Sequence, residues 1–123
     1  MRKLRHLIAV VALLAGAATL TACGSDDEAP ASSGESTKSI DITFAGDTVT
    51  PNGERVEVAK GQQVEFVVTA DAPGEIHVHS DPEKELEYQQ GTTILKLGSF
   101  DKPGIIEVES HHLEKTIVQL EVK

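Results

Sequence analysis

The sequence contains very little sulfur, few aromatic residues and little positive charge. Its 123 residues include one cysteine, one methionine and no tryptophan, and only 3% are aromatic. A single cysteine excludes a disulfide within the chain, and so few aromatic rings argue against a stacking surface for nucleic-acid bases. Lys and Arg number 11 against 20 Asp and Glu, so the formal charge is −9. This balance excludes the basic surface of a nucleic-acid-binding protein.

The N-terminal segment has the order of a secretory signal. Three basic residues within positions 2–5 precede an apolar run over residues 7–20. This run is too short and too rich in alanine to be a typical transmembrane helix. The small residues Thr21 and Ala22 then lead to Cys23. Basic, apolar and small residues in this order are typical of a cleaved secretory signal peptide.

The four residues Leu20-Thr21-Ala22-Cys23 resemble the lipobox of bacterial lipoproteins, in which the cysteine is lipidated and becomes the new N-terminus. The resemblance implies that residues 1–22 are a signal peptide. It also implies that acyl chains on Cys23, palmitate among them, anchor the protein to the bacterial cell membrane on its extracytoplasmic side. Two or more acyl chains anchor a protein stably. The alternative is an N-terminal transmembrane anchor with an incidental cysteine.

Cleavage before Cys23 would change the working protein. Met1 and three basic residues would leave, so the side-chain charge would become 8 − 20 = −12. With Cys23 lipidated, the mature chain would have neither a free thiol nor a methionine. Residues 24–38 (GSDDEAPASSGESTK) contain no large apolar side chain, so we expect 23–38 to be a lipidated cysteine and flexible linker. Residues 39–123 would form one domain.

The remaining residues alternate between apolar and polar side chains, which is the period of a half-buried strand. Seven segments show this pattern, and turn signals with Gly, Pro or Asn separate them: 39–44, 55–59, 63–70, 75–79, 92–97, 105–110 and 116–123. Short strands at this spacing predict an all-β, antiparallel Greek-key sandwich or barrel. Residues 82–88 are compatible with a short helix or a further strand.

Two stretches of this β pattern resemble cupredoxins. Residues 56–66 (VEVAKGQQVEF) are similar to the second and third strands of that family, and residues 102–122 are similar to its closing hairpin. More closely, the chain resembles small cupredoxin-like lipoproteins with a His-Val-His strand and a Glu-x-His hairpin. The resemblance implies a cupredoxin-like fold over residues 39–123.

A blue-copper centre of the electron-transfer type is excluded by composition. Such a centre needs a cysteine thiolate, two histidines and usually a weak axial methionine. In the corresponding hairpin of this chain the cysteine position falls at or near Ser110, and methionine is absent after the signal segment. Any metal must therefore be held by histidines and carboxylates.

After the signal segment, four histidines remain, in two pairs. His77 and His79 stand at i and i+2 on a predicted strand, so they share a face and lie about 6–7 Å apart along the chain. His111 and His112 are adjacent and would point to opposite faces if their strand continued. Cupredoxin topology would bring the two pairs together at one pole. Imidazoles there would suit Cu(II), with Zn(II) as a competitor and an oxygen ligand from Asp81, Glu75 or Glu109.

Enzyme chemistry is not expected. His77-Val78-His79 also resembles the copper strand of Cu/Zn superoxide dismutases, but the further zinc-loop histidines and the cysteine pair of that family are missing. No G-x-S-x-G nucleophile elbow and no phosphate-binding glycine loop occur. We expect a monomeric copper carrier or buffer that serves an envelope metal-transport partner. The alternative is a metal-free interaction domain on the cell envelope, with the surface histidines merely solvated.

A run of alternating glutamates, Glu83, Glu85 and Glu87, lies within residues 82–88. We expect a solvated strand face whose mutual repulsion discourages pairing with other sheet edges. The alternative is a surface for a cation or a basic partner.

Overall fold

The computed structural model describes residues 36–123, which form nine β-strands joined by turns. The strands are β1 (Lys38–Ala45), β2 (Thr48–Thr50), β3 (Glu54–Val58), β4 (Val64–Ala70), β5 (Gly74–Val78), β6 (Lys84–Tyr88), β7 (Gly91–Gly98), β8 (Gly104–Ser110) and β9 (Lys115–Val122). Within this part of the chain, no helix is long and apolar enough to cross a membrane. The predicted signal peptide and Cys23 lie outside the described residues.

The strands form two sheets packed as a sandwich. One has four strands in the order β2-β1-β4-β7, and the other has five in the order β3-β9-β8-β5-β6. The all-β prediction is confirmed. The sheets are mixed, however, because β1 pairs with β4 in parallel and β3 pairs with β9 in parallel. After the β1–β2 hairpin the chain crosses to the other sheet as β3, so β4 returns beside β1 in the same direction.

The seven predicted strands correspond to β1, β3, β4, β5, β7, β8 and β9. The two additional strands are β2, which has only three residues, and β6, which shows that residues 84–88 are a strand and not a helix. The first strand begins at Lys38, the last residue of the predicted linker. The backbone N–H of Lys38 already donates to the carbonyl of Gln63, at 2.7 Å.

Alternating apolar side chains from both sheets build the core. Ile42, Phe66 and Val68 from the four-stranded sheet are fully buried, as are Ile76 and Val78 on β5. Burial of such side chains removes apolar surface from water, which supplies the main driving force for folding. Because successive strand residues point to opposite faces, each buried residue on β5 leaves its neighbours on the outer face of the five-stranded sheet.

Candidate metal centre

Strand β5 places two histidines on the outer face of the five-stranded sheet. Ile76 and Val78 are completely buried in the core, so His77 and His79 point the other way. The strand ends at Val78, but the N–H of His79 still donates to the carbonyl of Glu107 at 2.9 Å. That bond keeps His79 in line with the strand, and the two imidazole centroids lie 4.5 Å apart.

The turn between β8 and β9 supplies the third histidine. Across the antiparallel β5–β8 pair, Glu109 lies opposite His77, so the turn that follows begins beside that ring. The N–H of Glu114 donates to the carbonyl of His111 at 3.2 Å, and Glu114 has a positive φ of 53°. This tight reversal holds His111 at the β5 side, where its Nε2 lies 2.9 Å from Nδ1 of His77.

A register shift just before the turn contributes to this placement. Val108 pairs with Val118, whereas the next residue, Glu109, pairs with Thr116, so Ile117 is an extra residue on β9. A bulge of this kind bends the strand and re-aims the side chains near it. Here it lies directly before the turn that carries His111.

His77, His79 and His111 form a three-histidine cluster. Each offers one ring nitrogen, and these three atoms lie within 4.8 Å of one another. The side chain of His77 is 12% exposed, that of His79 36% and that of His111 59%, so the cluster opens to solvent on one side.

One pair of nitrogens in the cluster has the spacing of two ligands on a shared metal ion. Imidazole nitrogens bind zinc at about 2.0–2.1 Å, and two ligands at that distance with angles of about 90–110° lie roughly 2.8–3.4 Å apart. The 2.9 Å between His77 Nδ1 and His111 Nε2 is within that range. Without an ion, one of these two nitrogens must carry the proton of a hydrogen bond.

Two carboxylates flank the cluster. Glu109 Oε2 lies 2.9 Å from Nε2 of His79 and 3.7 Å from Nε2 of His111. Glu83 reaches both strand histidines, with Oε2 3.2 Å from Nε2 of His77 and Oε1 3.3 Å from Nδ1 of His79. Glu109 is one of the oxygen ligands predicted from the sequence. Glu83 was expected to lie on a solvated strand face, with a surface for a cation or a basic partner as the alternative, and was not predicted at this site.

The carboxylates shift the ionisation of their partners. The hydrogen bond to Glu109 is the largest influence on His79 and, together with Glu83, raises the pKa of this imidazole above its ordinary 6.5. The hydrogen bond to His79 likewise lowers the pKa of Glu83 below its ordinary 4.5. Both shifts have the sign expected for an imidazolium held by carboxylates.

The other predicted site residues lie outside the cluster. His112 is exposed on a separate surface groove that Glu75, Glu87 and Tyr88 also line. The β5–β6 register places Glu75 opposite Glu87, and Asp81 forms an exposed ion pair with Lys102 at 3.9 Å. The structure therefore brings together three of the four predicted histidines and one of the three predicted carboxylates.

Ser110, the residue at or near the cysteine position of the blue-copper hairpin, does not face the cluster. It is 1% exposed, whereas the side chain of the preceding Glu109 is 28% exposed and contacts His79. Successive residues of a strand point to opposite faces, so Ser110 points into the sandwich. Its Oγ accepts a hydrogen bond from the N–H of Leu113 at 3.4 Å, within the turn.

No protein-family model and no curated protein sequence matches the chain. Among solved structures, a purple cupredoxin from Nitrosopumilus maritimus matches with a TM-score of 0.50 at 15% identity, over 70% of this chain and 99% of that one. A blue copper oxidase from Nitrosomonas europaea matches with a TM-score of 0.51 at 14% identity, over 71% of this chain and 44% of that one.

These likenesses and the two packed sheets define the fold as all-β and cupredoxin-like. The recognition made from the β pattern and the closing hairpin is thereby confirmed for the domain. Within that fold, this chain carries a cluster of three histidines on an outer sheet face.

Proposed function

We propose that this protein is a cupredoxin-like module that binds Cu(II) through His77, His79 and His111. The observation that carries the proposal is the convergence of three imidazole nitrogens within 4.8 Å from two separate parts of the chain. Imidazole suits copper, and Cu(II) stands at the top of the affinity order for divalent first-row metals. Zn(II) is the competing ion, because it also accepts imidazole ligands.

The surroundings of the cluster suit a cation that is held and released. Glu83 and Glu109 place two negative charges beside the rings, and Glu109 is positioned to add an oxygen ligand next to His79 and His111. The exposure of His111 leaves one side of the site open to a partner or to solvent. These features favour a carrier or buffer role over electron transfer, for which the sequence supplies no thiolate ligand in the domain.

The location and partners in this proposal follow from the sequence. Lipidated Cys23 would anchor the module outside the cytoplasm on the bacterial cell membrane, with residues 24–38 as its tether. A monomer there would exchange copper with a metal-transport partner of the envelope and would catalyse no reaction itself. The strongly acidic composition supports a domain that stands away from anionic lipid headgroups.

Calorimetric titration with Cu(II) tests the proposal, on the protein from residue 24 onward, which contains all nine strands. We expect one ion per chain with a Kd below about 10 μM. His77→Ala/His79→Ala should lose this binding, whereas His112→Ala, which alters a neighbouring histidine outside the cluster, should retain it. Binding weaker than about 10 μM, or equal binding by the double variant, would contradict the proposal and favour a metal-free interaction domain.

A further inference from the structure

We propose that Glu83 is a positioning residue that selects which nitrogen of each strand histidine binds the metal. Its carboxylate engages Nε2 of His77 and Nδ1 of His79, which leaves Nδ1 of His77 and Nε2 of His79 as the ligand atoms. This inference deepens the proposed copper site and rests on it.

One carboxylate spans two rings in this arrangement. Oε2 of Glu83 lies 3.2 Å from Nε2 of His77, and Oε1 lies 3.3 Å from Nδ1 of His79. Each oxygen thus serves a different imidazole, and the ring centroids are only 4.5 Å apart. A single residue therefore restrains the orientation of both rings.

Of the two nitrogens that Glu83 does not contact, one lies against the third histidine and the other lies against Glu109, the candidate oxygen ligand. Nδ1 of His77 is 2.9 Å from Nε2 of His111. Nε2 of His79 is 2.9 Å from Glu109 Oε2, which itself lies 3.7 Å from Nε2 of His111. Hence the nitrogen of His77 that Glu83 does not contact adjoins His111, and the corresponding nitrogen of His79 adjoins the carboxylate oxygen that lies beside His111.

The contacts of each imidazole determine which of its nitrogens can bind a metal. A neutral imidazole has one N–H and one lone pair, on different nitrogens. A carboxylate that accepts the N–H fixes the lone pair on the other nitrogen and makes it a more basic ligand. In the metal-bound site, where Glu109 would be a fellow ligand of His79 and not its hydrogen-bond acceptor, Glu83 would therefore fix opposite tautomers in His77 and His79, with the lone pairs on Nδ1 of His77 and Nε2 of His79.

The position of Glu83 along the chain differs from that of the next glutamate, Glu85. It precedes β6, at the end of the turn in which the Ser80 hydroxyl donates to the carbonyl of Pro82 at 2.7 Å. Glu85 lies within β6, opposite His77 in the β5–β6 register. Among residues 36–123, Glu85 makes no hydrogen bond or ion pair with the cluster, so it is a matched control of equal charge.

The test compares Glu83→Gln with Glu85→Gln in the protein from residue 24 onward. Each substitution removes one negative charge beside the cluster, but only the first replaces one of the two oxygens that contact the rings with an N–H donor. Cu(II) affinity is measured by calorimetry, and the Cu(II) electron paramagnetic resonance spectrum reports the ligand set. Nitrogen-15 NMR of the histidine rings in the diamagnetic Zn(II) complex shows which nitrogen of each ring binds the metal.

We expect Zn(II) to bind the wild-type protein through Nδ1 of His77 and Nε2 of His79. Glu83→Gln should weaken Cu(II) binding about tenfold without changing the resonance parameters, because loss of an outer carboxylate partner typically costs 10- to 100-fold. Glu85→Gln should change the affinity less than about threefold, as expected for an exposed charge screened by solvent and salt.

Three results would overturn the inference while leaving the proposed function intact. They are equal affinity losses in the two variants, coordination of His77 through Nε2 in the wild type, and a changed Cu(II) ligand set in Glu83→Gln, which would make Glu83 itself a ligand. If the wild type binds no Cu(II), the proposed function fails first and the inference fails with it.

Discussion

The two histidine pairs of this protein are placed by different kinds of local structure. His77 and His79 share a face because a strand has a period of two, and the buried Ile76 and Val78 lock that face outward. His111 and His112 are adjacent, and the β8–β9 turn directs only the first of them to the cluster. A strand brings residues to a site in pairs, whereas a turn can separate neighbours.

The largest expected effect comes from truncating a buried side chain of β5, because these side chains orient His77 and His79. Ile76→Ala removes a completely buried side chain between the two sheets and should lower the free energy of unfolding by about 2–5 kcal/mol. His77→Ala, one residue along the strand, should change it by less than about 1 kcal/mol in the metal-free protein, because it leaves no cavity in the core. Urea denaturation of both variants measures the difference. Equal losses would contradict the assignment of the inner and outer faces.

The contrast between His111 and His112 gives the next largest effect. His111→Ala removes a ligand whose Nε2 lies 2.9 Å from His77, and it should weaken Cu(II) binding by about 10- to 100-fold, or roughly 1.4–2.7 kcal/mol. His112→Ala should leave the affinity within about twofold. Competition titration against a chelator of known affinity distinguishes the two. A larger loss of affinity in His112→Ala than in His111→Ala would contradict the placement of His111 at the site by this turn.

Lowering the pH should weaken Cu(II) binding, whereas it should stabilise the metal-free protein through the contacts of His79. The pKa of His79 is raised above 6.5, so proton competition with copper begins above that pH and Cu(II) affinity falls as the pH is lowered from 8 to 5.5. In the metal-free protein, the same raised pKa makes the His79 contacts stabilising below pH 6.5. That contribution disappears as the pH rises through the raised value.

Melting temperatures measured with and without Cu(II) across this pH range test the direction of both pH effects. We expect the increase caused by copper to grow steadily with pH. Below this range, the lowered pKa of Glu83 means that its contribution to stability is present above pH 4.5 and is lost as the pH falls through the lowered value. A copper-induced increase that is independent of pH would argue against imidazole ligands.

The smallest expected effect concerns Ser110, which is buried on the opposite face of β8 from Glu109. Ser110→Cys introduces a thiol at or near the position that the blue-copper hairpin reserves for cysteine. Because this side chain points into the sandwich, Cu(II) should bind with unchanged affinity and no intense thiolate-to-copper absorption should appear. A blue or purple colour in this variant would show that residue 110 can reach the metal.

Local patterns were sufficient to predict most of the strands and the shared face of His77 and His79. The parallel pairing of β1 with β4 could not be predicted in this way, because alternation reports which face of a strand is buried but not which strand lies beside it. Strand β2 was missed because three residues are too few to show a period.

The candidate site was predicted in its parts but not in its final composition. Which of His111 and His112 reaches the cluster depends on a turn in which Glu114 has a positive φ. A positive φ is uncommon for a residue other than glycine, and a repeating sequence pattern does not predict it. Glu83 was grouped with Glu85 and Glu87 as a solvated face. The Ser80-Asp81-Pro82 sequence was the available signal that the chain turns back there and returns Glu83 over the histidines.

The most direct test of the central claim is the electron paramagnetic resonance spectrum of the protein from residue 24 onward with one equivalent of Cu(II). We expect a single bound species with nitrogen couplings from three imidazoles and no sulfur ligand. The same spectrum should be lost in His77→Ala/His79→Ala and preserved in His112→Ala. A spectrum of free copper in the wild type, or an unchanged spectrum in the double variant, would contradict the claim that these histidines form a copper site.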